Sequence, residues 1–76
     1  EIKILKKHMG FFIDWYGTDY RIIEKDNNYV TVRVIANENA TYYWAMQYGH
    51  SAEILEPSSL RDRIKEGLED MLEKYE

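Results

Sequence analysis

Two alternating segments joined by a short turn constrain the fold of this chain more than any other feature. Residues 20–25 and 29–35 flank the turn Asp26-Asn27-Asn28, and Asn and Asp tolerate the left-handed backbone conformation that a tight hairpin needs. The three valines of residues 30–34 fall on one face of the second segment, as in a strand with one buried face. The sequence therefore predicts a β-hairpin at the centre of the chain.

A strand and a helix are predicted on the N-terminal side of the hairpin. Residues 1–7 alternate apolar and polar side chains, which is typical of a half-buried strand. Residues 8–17 change to apolar side chains three and four residues apart, which is helical spacing, and Gly17 is placed to end the helix. The chain thus reaches the hairpin through a strand–helix unit.

A helix and a strand are predicted after the hairpin. Residues 37–49 form the helix, and Asn37 or Asn39 is expected to cap it by accepting a hydrogen bond from an unpaired backbone N–H group. Gly49 is expected to end this helix, and residues 52–56 form a short strand. The chain thus leaves the hairpin through a helix–strand unit.

A third helix is predicted after Pro57, because proline ends a strand and fits just before a helix. The segment Ser59-Leu60-Arg61-Asp62 matches the capping pattern of a serine three residues before an acid. An apolar stripe then continues to the C-terminus through Leu60, Ile64, Leu68, Met71 or Leu72, and Tyr75. This helix has to bury its stripe on the sheet or on another chain.

The element order β-α-β-β-α-β-α indicates an α+β fold. Two β-α-β units joined by a hairpin form a ferredoxin-like split β-α-β sandwich, with a four-stranded antiparallel sheet under two helices. The third helix is an added C-terminal element. Residues 1–76 are predicted to form a single domain, and a start at Glu1 rather than Met suggests a C-terminal fragment of a longer multidomain protein.

Composition and charge argue against several functions. The net charge of −4 and the lack of a basic stripe disfavour binding to a phosphate backbone. The chain has no cysteine, so it offers neither a disulfide nor a thiolate metal site. Its longest apolar run, residues 9–13, is too short to span a bilayer. We therefore expect a cytoplasmic protein with no membrane partner and no cofactor.

No catalytic arrangement is recognisable in the sequence. Acylphosphatases share the predicted fold but need a phosphate-binding loop after the first strand, where residues 6–10 read Lys-Lys-His-Met-Gly with a single glycine. The carboxylates of Asp14, Asp19 and Glu56 form no evident pair, and no serine has a plausible base. The chain is predicted not to be an enzyme.

The two histidines are candidate metal ligands. The end of the first strand and the start of the fourth lie at the same end of the predicted sheet, which would bring His8 and His50 together. Such a pair could sense pH or bind a metal weakly, although no third ligand is evident. Two unconnected loop histidines are the alternative interpretation.

The predicted open face of the sheet is a candidate binding surface. Arg21 and Arg33 lie on adjacent strands near Tyr29, and arginine beside tyrosine is typical of single-stranded nucleic-acid sites. The glycine and aromatic pattern of ferredoxin-like RNA-binding domains is absent, and Glu24 and Glu53 dilute the charge. Ordinary paired surface arginines are the alternative.

The aromatic residues exceed what a small core can enclose. Phe12, Tyr16, Trp44 and Tyr48 are expected to fill the core between the helices and the sheet. Exposed aromatic and methionine clusters mark interfaces, and a second stripe of the middle helix has no core left to join. The residues predicted to contact a second subunit or another domain are Phe11, Trp15, Tyr42, Tyr43, Met46, Leu72 and Tyr75.

Three segments together resemble one protein family. Residues 10–17 read GFFIDWYG, residues 42–49 read YYWAMQYG, and residues 53–75 contain Leu55-Glu56-Pro57 before a helix that ends in Tyr75. In order and spacing these segments resemble the C-terminal extension domain of bacterial WYL-domain transcriptional regulators. Thr41 departs from the pattern, since the family often has an aromatic residue there.

The resemblance implies a regulatory function. Such regulators carry a winged helix-turn-helix that binds DNA, a WYL domain that senses a ligand, and this ferredoxin-like extension, which is associated with dimerisation and with transmitting the ligand state. The implied partners are a second copy in a homodimer and the other two domains, with DNA bound only through the parent protein. The alternatives are an ACT-like domain that senses small molecules between subunits and a sheet that binds single-stranded nucleic acid.

Overall fold

The computed structural model describes residues 1–76 and has the predicted order of elements. Its strands and helices are β1 (Ile2–Leu5), α1 (Met9–Tyr16), β2 (Arg21–Lys25), β3 (Tyr29–Arg33), α2 (Glu38–Gln47), β4 (Ala52–Ile54) and α3 (Ser58–Glu73). β1 is shorter than predicted because Lys6–His8 form a 3₁₀ turn that leads into α1. No helix combines the length and the apolar character needed to cross a membrane.

The sheet has four strands in the order β2-β3-β1-β4, with every neighbouring pair antiparallel. Ile2 of β1 lies opposite Val32 of β3 on one side and Ile54 of β4 on the other, so these three side chains share one face. All three are buried there beneath the helices. The α+β fold is therefore the predicted ferredoxin-like split β-α-β sandwich with an added C-terminal helix, and β2 and β4 are its edges.

The core is filled by aliphatic side chains of the sheet and aromatic side chains of α1 and α2. Trp44 lies at its centre, with edge-to-face contacts to Phe12 at 5.9 Å and to Tyr16 at 5.7 Å between ring centroids. The Tyr16 hydroxyl donates to Oγ1 of the buried Thr41 at 2.8 Å. Burial raises the pKa of the Tyr16 phenol, and the hydrogen bond to Thr41 partly offsets that increase. Of the four aromatic residues predicted to fill the core, Phe12 and Trp44 are buried, and Tyr16 and Tyr48 are half-buried.

Local hydrogen bonds and one glycine fix the ends of the elements. Gly17 ends α1 with φ of +73°, in the region that favours glycine. Asn37 caps α2 through a bond from the Ala40 N–H at 3.0 Å, which selects it over Asn39. In the hairpin turn, the Asp26 carboxylate accepts from the N–H groups of Asn28 and Tyr29, and these bonds lower its pKa.

The predicted capping box at the start of α3 is wrong. The helix begins at Ser58, so Ser59 lies inside its first turn instead of preceding it, and Pro57 occupies the capping position without a side-chain bond. The Ser59 hydroxyl instead donates to Glu38 on α2 at 3.3 Å. The serine therefore helps to join two helices rather than to start one.

Candidate functional site

The third helix packs alongside the second, and this contact takes up part of the surface predicted to be an interface. Arg63 of α3 lies over the Tyr42 ring, with its guanidinium carbon 4.3 Å from the ring centroid. The next turn of α3 places Gly67 against Tyr42 and Met46. The expectation that this second stripe of α2 has nothing to join is therefore wrong, because α3 covers Tyr42 and Met46 within the chain.

Gly67 is a point of close approach between these two helices. A Cβ atom at this position would overlap the Tyr42 hydroxyl and lie 3.3 Å from Cε of Met46. Glycine inside a helix costs about 1 kcal/mol relative to alanine, so its presence here indicates a packing requirement. The interhelical contact thus depends on the absence of a side chain at residue 67.

Gly67→Ala is expected to destabilise the fold by about 1 kcal/mol, because the overlap with Tyr42 outweighs the gain in helix propensity. In a Tyr42→Phe background the overlapping oxygen is gone, and the same substitution should then stabilise by up to about 1 kcal/mol. Urea denaturation of the four proteins of this cycle measures both effects. Equal effects of the alanine in the two backgrounds would show that the hydroxyl is not the obstacle.

Polar contacts fasten the first half of α3 to the rest of the fold. Arg63 donates to Oδ1 of Asn39 at 2.7 Å and lies 3.8 Å from the Glu38 carboxylate. Arg61 donates to the Glu53 carboxylate at 2.7 Å and to the backbone carbonyl of Ile54 at 2.8 Å. The second bond covers part of the otherwise open edge of β4.

An apolar groove lies between α3, the edge of β4 and the end of α2. Its volume is about 880 Å³, and half of its lining side chains are hydrophobic. Ile54 of β4 and Ile64, Leu68 and Leu72 of α3 are among them. This groove is apolar, concave and open to solvent, so it is the leading candidate for a binding surface.

The groove continues into an exposed apolar surface at the end of the chain, which we call the C-terminal stripe. No element of the fold covers these side chains, and Tyr75 is 86% exposed. Leu72 and Tyr75 belong to the predicted interface, whereas Leu68 and Met71 are predicted only as part of the apolar stripe of the helix. The C-terminal stripe consists of Leu68, Met71, Leu72 and Tyr75.

Three further aromatic side chains of the predicted interface are exposed on α1 and α2, and we call them the outer aromatic residues. They are Phe11, Trp15 and Tyr43. Phe11 stacks on the half-buried Tyr48 at 4.8 Å between ring centroids, so it is fixed in place. Trp15 is 57% exposed and makes no aromatic contact within the chain. Exposed aromatic side chains of this kind are typical of protein interfaces, so these three residues are candidates for one.

The contacts of His8 are with Ser51 and with the Phe11 ring. The Leu5 N–H binds the Ser51 carbonyl, so the end of β1 meets the start of β4. Nδ1 of His8 lies 2.6 Å from the hydroxyl of the buried Ser51, the residue after His50. No group of three histidine or carboxylate side chains suited to a metal ion occurs in the fold.

The open face of the sheet holds Arg21, Arg33 and Tyr29, and two of them, Arg33 and Tyr29, contact other side chains. Arg21 lies directly opposite Arg33, and Arg33 forms a salt bridge with Glu1 at 2.9 Å that lowers the pKa of that carboxyl group. The ammonium group of Lys3 lies 4.8 Å from the centroid of the Tyr29 ring. A base stacking on this ring would therefore have to displace a cation.

A comparison with known domain families shows to which family this chain belongs. The model of the WCX domain matches residues 6–72, which is most of the chain. The chain belongs to the WCX domain family. This confirms the resemblance to the C-terminal extension of WYL-domain regulators that the three sequence segments indicated. No curated protein and no solved structure matches the chain.

Sequence reasoning missed several residues of the groove and of the helix contact in this WCX domain. The sequence contains a signal for Gly67, because a glycine inside an otherwise regular amphipathic helix indicates close packing at that position. Lys65 and Arg61 had no such signal, since charges on an amphipathic helix usually face solvent. The pairing of α3 with α2 decides which of these side chains face the groove.

Proposed function

We propose that this WCX domain is a non-enzymatic regulatory module of a bacterial, cytoplasmic WYL-domain transcription regulator. Its role is to pair subunits and to couple a ligand-sensing WYL domain to a DNA-binding domain. The observation that carries the proposal is the family match over residues 6–72. The DNA contacts belong to the parent protein, since the net charge of this domain is −4.

Two separate exposed surfaces support a module with two kinds of partner. The outer aromatic residues lie on α1 and α2, whereas the C-terminal stripe lies on and just beyond α3. A coupling domain needs one contact that joins it to its own sensor domain and another that joins two subunits. We assign the outer aromatic residues to the WYL domain of the same regulator, because Trp15 and Tyr43 are large, anchor-type side chains.

In this arrangement, the ligand acts by shifting the regulator between two conformational states. A ligand that binds the WYL domain changes the regulator only if the two states differ in their contacts with it. Repacking of the WYL domain against Trp15 and Tyr43 would alter the spacing of the DNA-binding domains in the paired subunits. The ligand must then change the free energy of DNA binding by the same amount as DNA changes the free energy of ligand binding.

Hydroxyl-radical footprinting tests the interdomain contact without knowledge of the ligand or the target DNA. Trp15 and Tyr43 are expected to be oxidised rapidly in the 76-residue domain and to be protected several-fold in the complete regulator. The buried Trp44 is the internal control and should react slowly in both proteins. Equal oxidation rates of Trp15 and Tyr43 in the two proteins would contradict this assignment.

The open face of the sheet supports nucleic-acid binding less well. Tyr29 is covered by Lys3, and Arg33 is engaged by Glu1, so the stacking and charged groups already have partners. The shallow depression on this face has a volume of about 250 Å³ and is lined by acids as well as bases, including Glu24, Asp26 and Glu53. Binding of single strands would require these pairs to break.

A further inference from the structure

The second half of α3 exposes apolar and acidic side chains that the fold itself does not use. Leu68, Met71 and Leu72 are each close to half exposed or more, and they border the groove beside β4. Glu66, Glu69, Asp70 and Glu73 belong to none of the salt bridges of the chain. A surface that combines exposed leucines with unpaired charges is suited to a partner with the opposite charges.

The charge along α3 changes sign from one half of the helix to the other. Residues 58–65 contain three bases and one acid, whereas residues 66–73 contain four acids and no base. Lys65 forms no salt bridge, and its position four residues before Glu69 is the less favourable order for pairing within one helix. A helix with one basic and one acidic half is complementary to a second copy of itself that runs in the opposite direction.

We propose that α3 pairs with the α3 helix of a second copy of this chain, antiparallel, about a two-fold axis at the level of Gly67. This places Lys65 opposite the partner subunit's Glu69 and Arg61 opposite the partner subunit's Glu73. Each pair occurs twice because a two-fold interface is isologous. The leucines of the C-terminal stripe of each copy enter the groove of the other, which is large enough, at about 880 Å³, to take several side chains.

On this side of the domain, helix pairing is favoured over pairing of the β4 edge. An exposed edge strand pairs with another chain through its free backbone groups. β4 has only three residues, and its outward carbonyl at Ile54 is already bonded to the Arg61 guanidinium. Side chains of α3 and the apolar wall of the groove therefore remain the accessible part of this side of the domain. The inference rests on the proposed dimerisation role and names the surface that performs it.

A charge-swap experiment tests the antiparallel pairing. Lys65→Glu places two acids against two acids, and Glu69→Lys places two bases against two bases, so each variant alone should dimerise about tenfold or more weakly. Combining both substitutions in one chain restores opposite charges and should restore the affinity of the wild-type dimer. An equimolar mixture of the two single variants should form heterodimers, because both pairs are then complementary.

Sedimentation velocity at low ionic strength measures five samples, which are the wild type, the two single variants, the double variant and the mixture. Circular dichroism checks that these exposed substitutions leave the fold intact. Dimers that are unchanged in both single variants would overturn the α3 pairing while leaving the dimerisation role in place. A failure of the double variant or of the mixture to recover dimers would also overturn it. A wild-type chain that stays monomeric throughout would overturn the α3 pairing and the dimerisation role together.

Discussion

Replacing Trp44 by alanine is expected to destabilise the fold by about 3–5 kcal/mol. The side chain is 2% exposed, its ring contacts the rings of Phe12 and Tyr16, and its N–H group approaches the Phe11 carbonyl at 3.4 Å. Small domains have about 5–15 kcal/mol of stability in total, and a chain of this size lies near the lower limit. The variant should therefore retain no more than about 2 kcal/mol of stability, which urea denaturation measures while circular dichroism reports the fraction that remains folded.

Trp15→Ala is the matched control for Trp44→Ala. Trp15 is the other tryptophan of the chain, but its side chain is 57% exposed on α1. Its removal should change the free energy of unfolding by less than about 0.5 kcal/mol. The variant also leaves Trp44 as the sole tryptophan, so its fluorescence reports on the core alone. A Trp44→Ala protein as stable as the Trp15→Ala protein would show that the core is not organised around this ring.

Leu60→Ala is expected to cost about 2–5 kcal/mol because it removes the side chain that anchors α3 to the core. Leu60 is 3% exposed and is the one fully buried residue of that helix. Its loss should release the first turns of α3, and with them the contacts that Arg61 and Arg63 make with β4 and α2. Urea denaturation measures the loss of stability, and hydrogen exchange shows whether it is concentrated in α3.

Leu72→Ala changes the same residue type on the same helix at a position that is 59% exposed. Its effect on the stability of the monomer should be below about 0.5 kcal/mol. Its effect on subunit association should be larger, because Leu72 belongs to the C-terminal stripe. The two leucines thus separate folding from association. Equal destabilisation by both substitutions would contradict the division of α3 into an anchoring half and an interface half.

Local periodicity was sufficient to predict the architecture of the fold. The hairpin around Asp26-Asn27-Asn28 and the alternation of β1 predict three strands of the sheet. Alternation of apolar and polar residues indicates a strand, whereas apolar residues three and four apart indicate a helix. The change of period at residues 8–17 and again at 37–49 placed both helices over it. Since split β-α-β connections allow few arrangements, the strand order followed from the order of elements.

Contacts between distant elements explain what the sequence did not predict. The sequence predicts no partner for the α2 stripe of Tyr42 and Met46, because no local pattern states which face of a neighbouring helix will cover it. Ser59 matched a capping pattern but lies inside α3, where it reaches Glu38. Short motifs report local backbone preference, whereas such contacts depend on where helices lie in three dimensions.

The candidate site was only partly predictable, because its groove also depends on contacts between distant elements. The exposure of Trp15, Tyr43, Leu72 and Tyr75 was expected from an excess of aromatic and apolar residues over core volume, and the structure leaves all four exposed. The groove beside β4 was not foreseen, since it exists only because α3 packs on α2 beyond the edge of the sheet. Which partner occupies each surface stays a prediction.

The mass of this WCX domain in solution tests the central claim, that it pairs subunits, most directly. Sedimentation equilibrium across micromolar to millimolar concentrations gives that mass without reference to any ligand, DNA or second domain. A domain that pairs subunits should give a reversible species of twice the chain mass of 9.2 kDa at the upper concentrations. A mass that remains at 9.2 kDa over the whole range would contradict it.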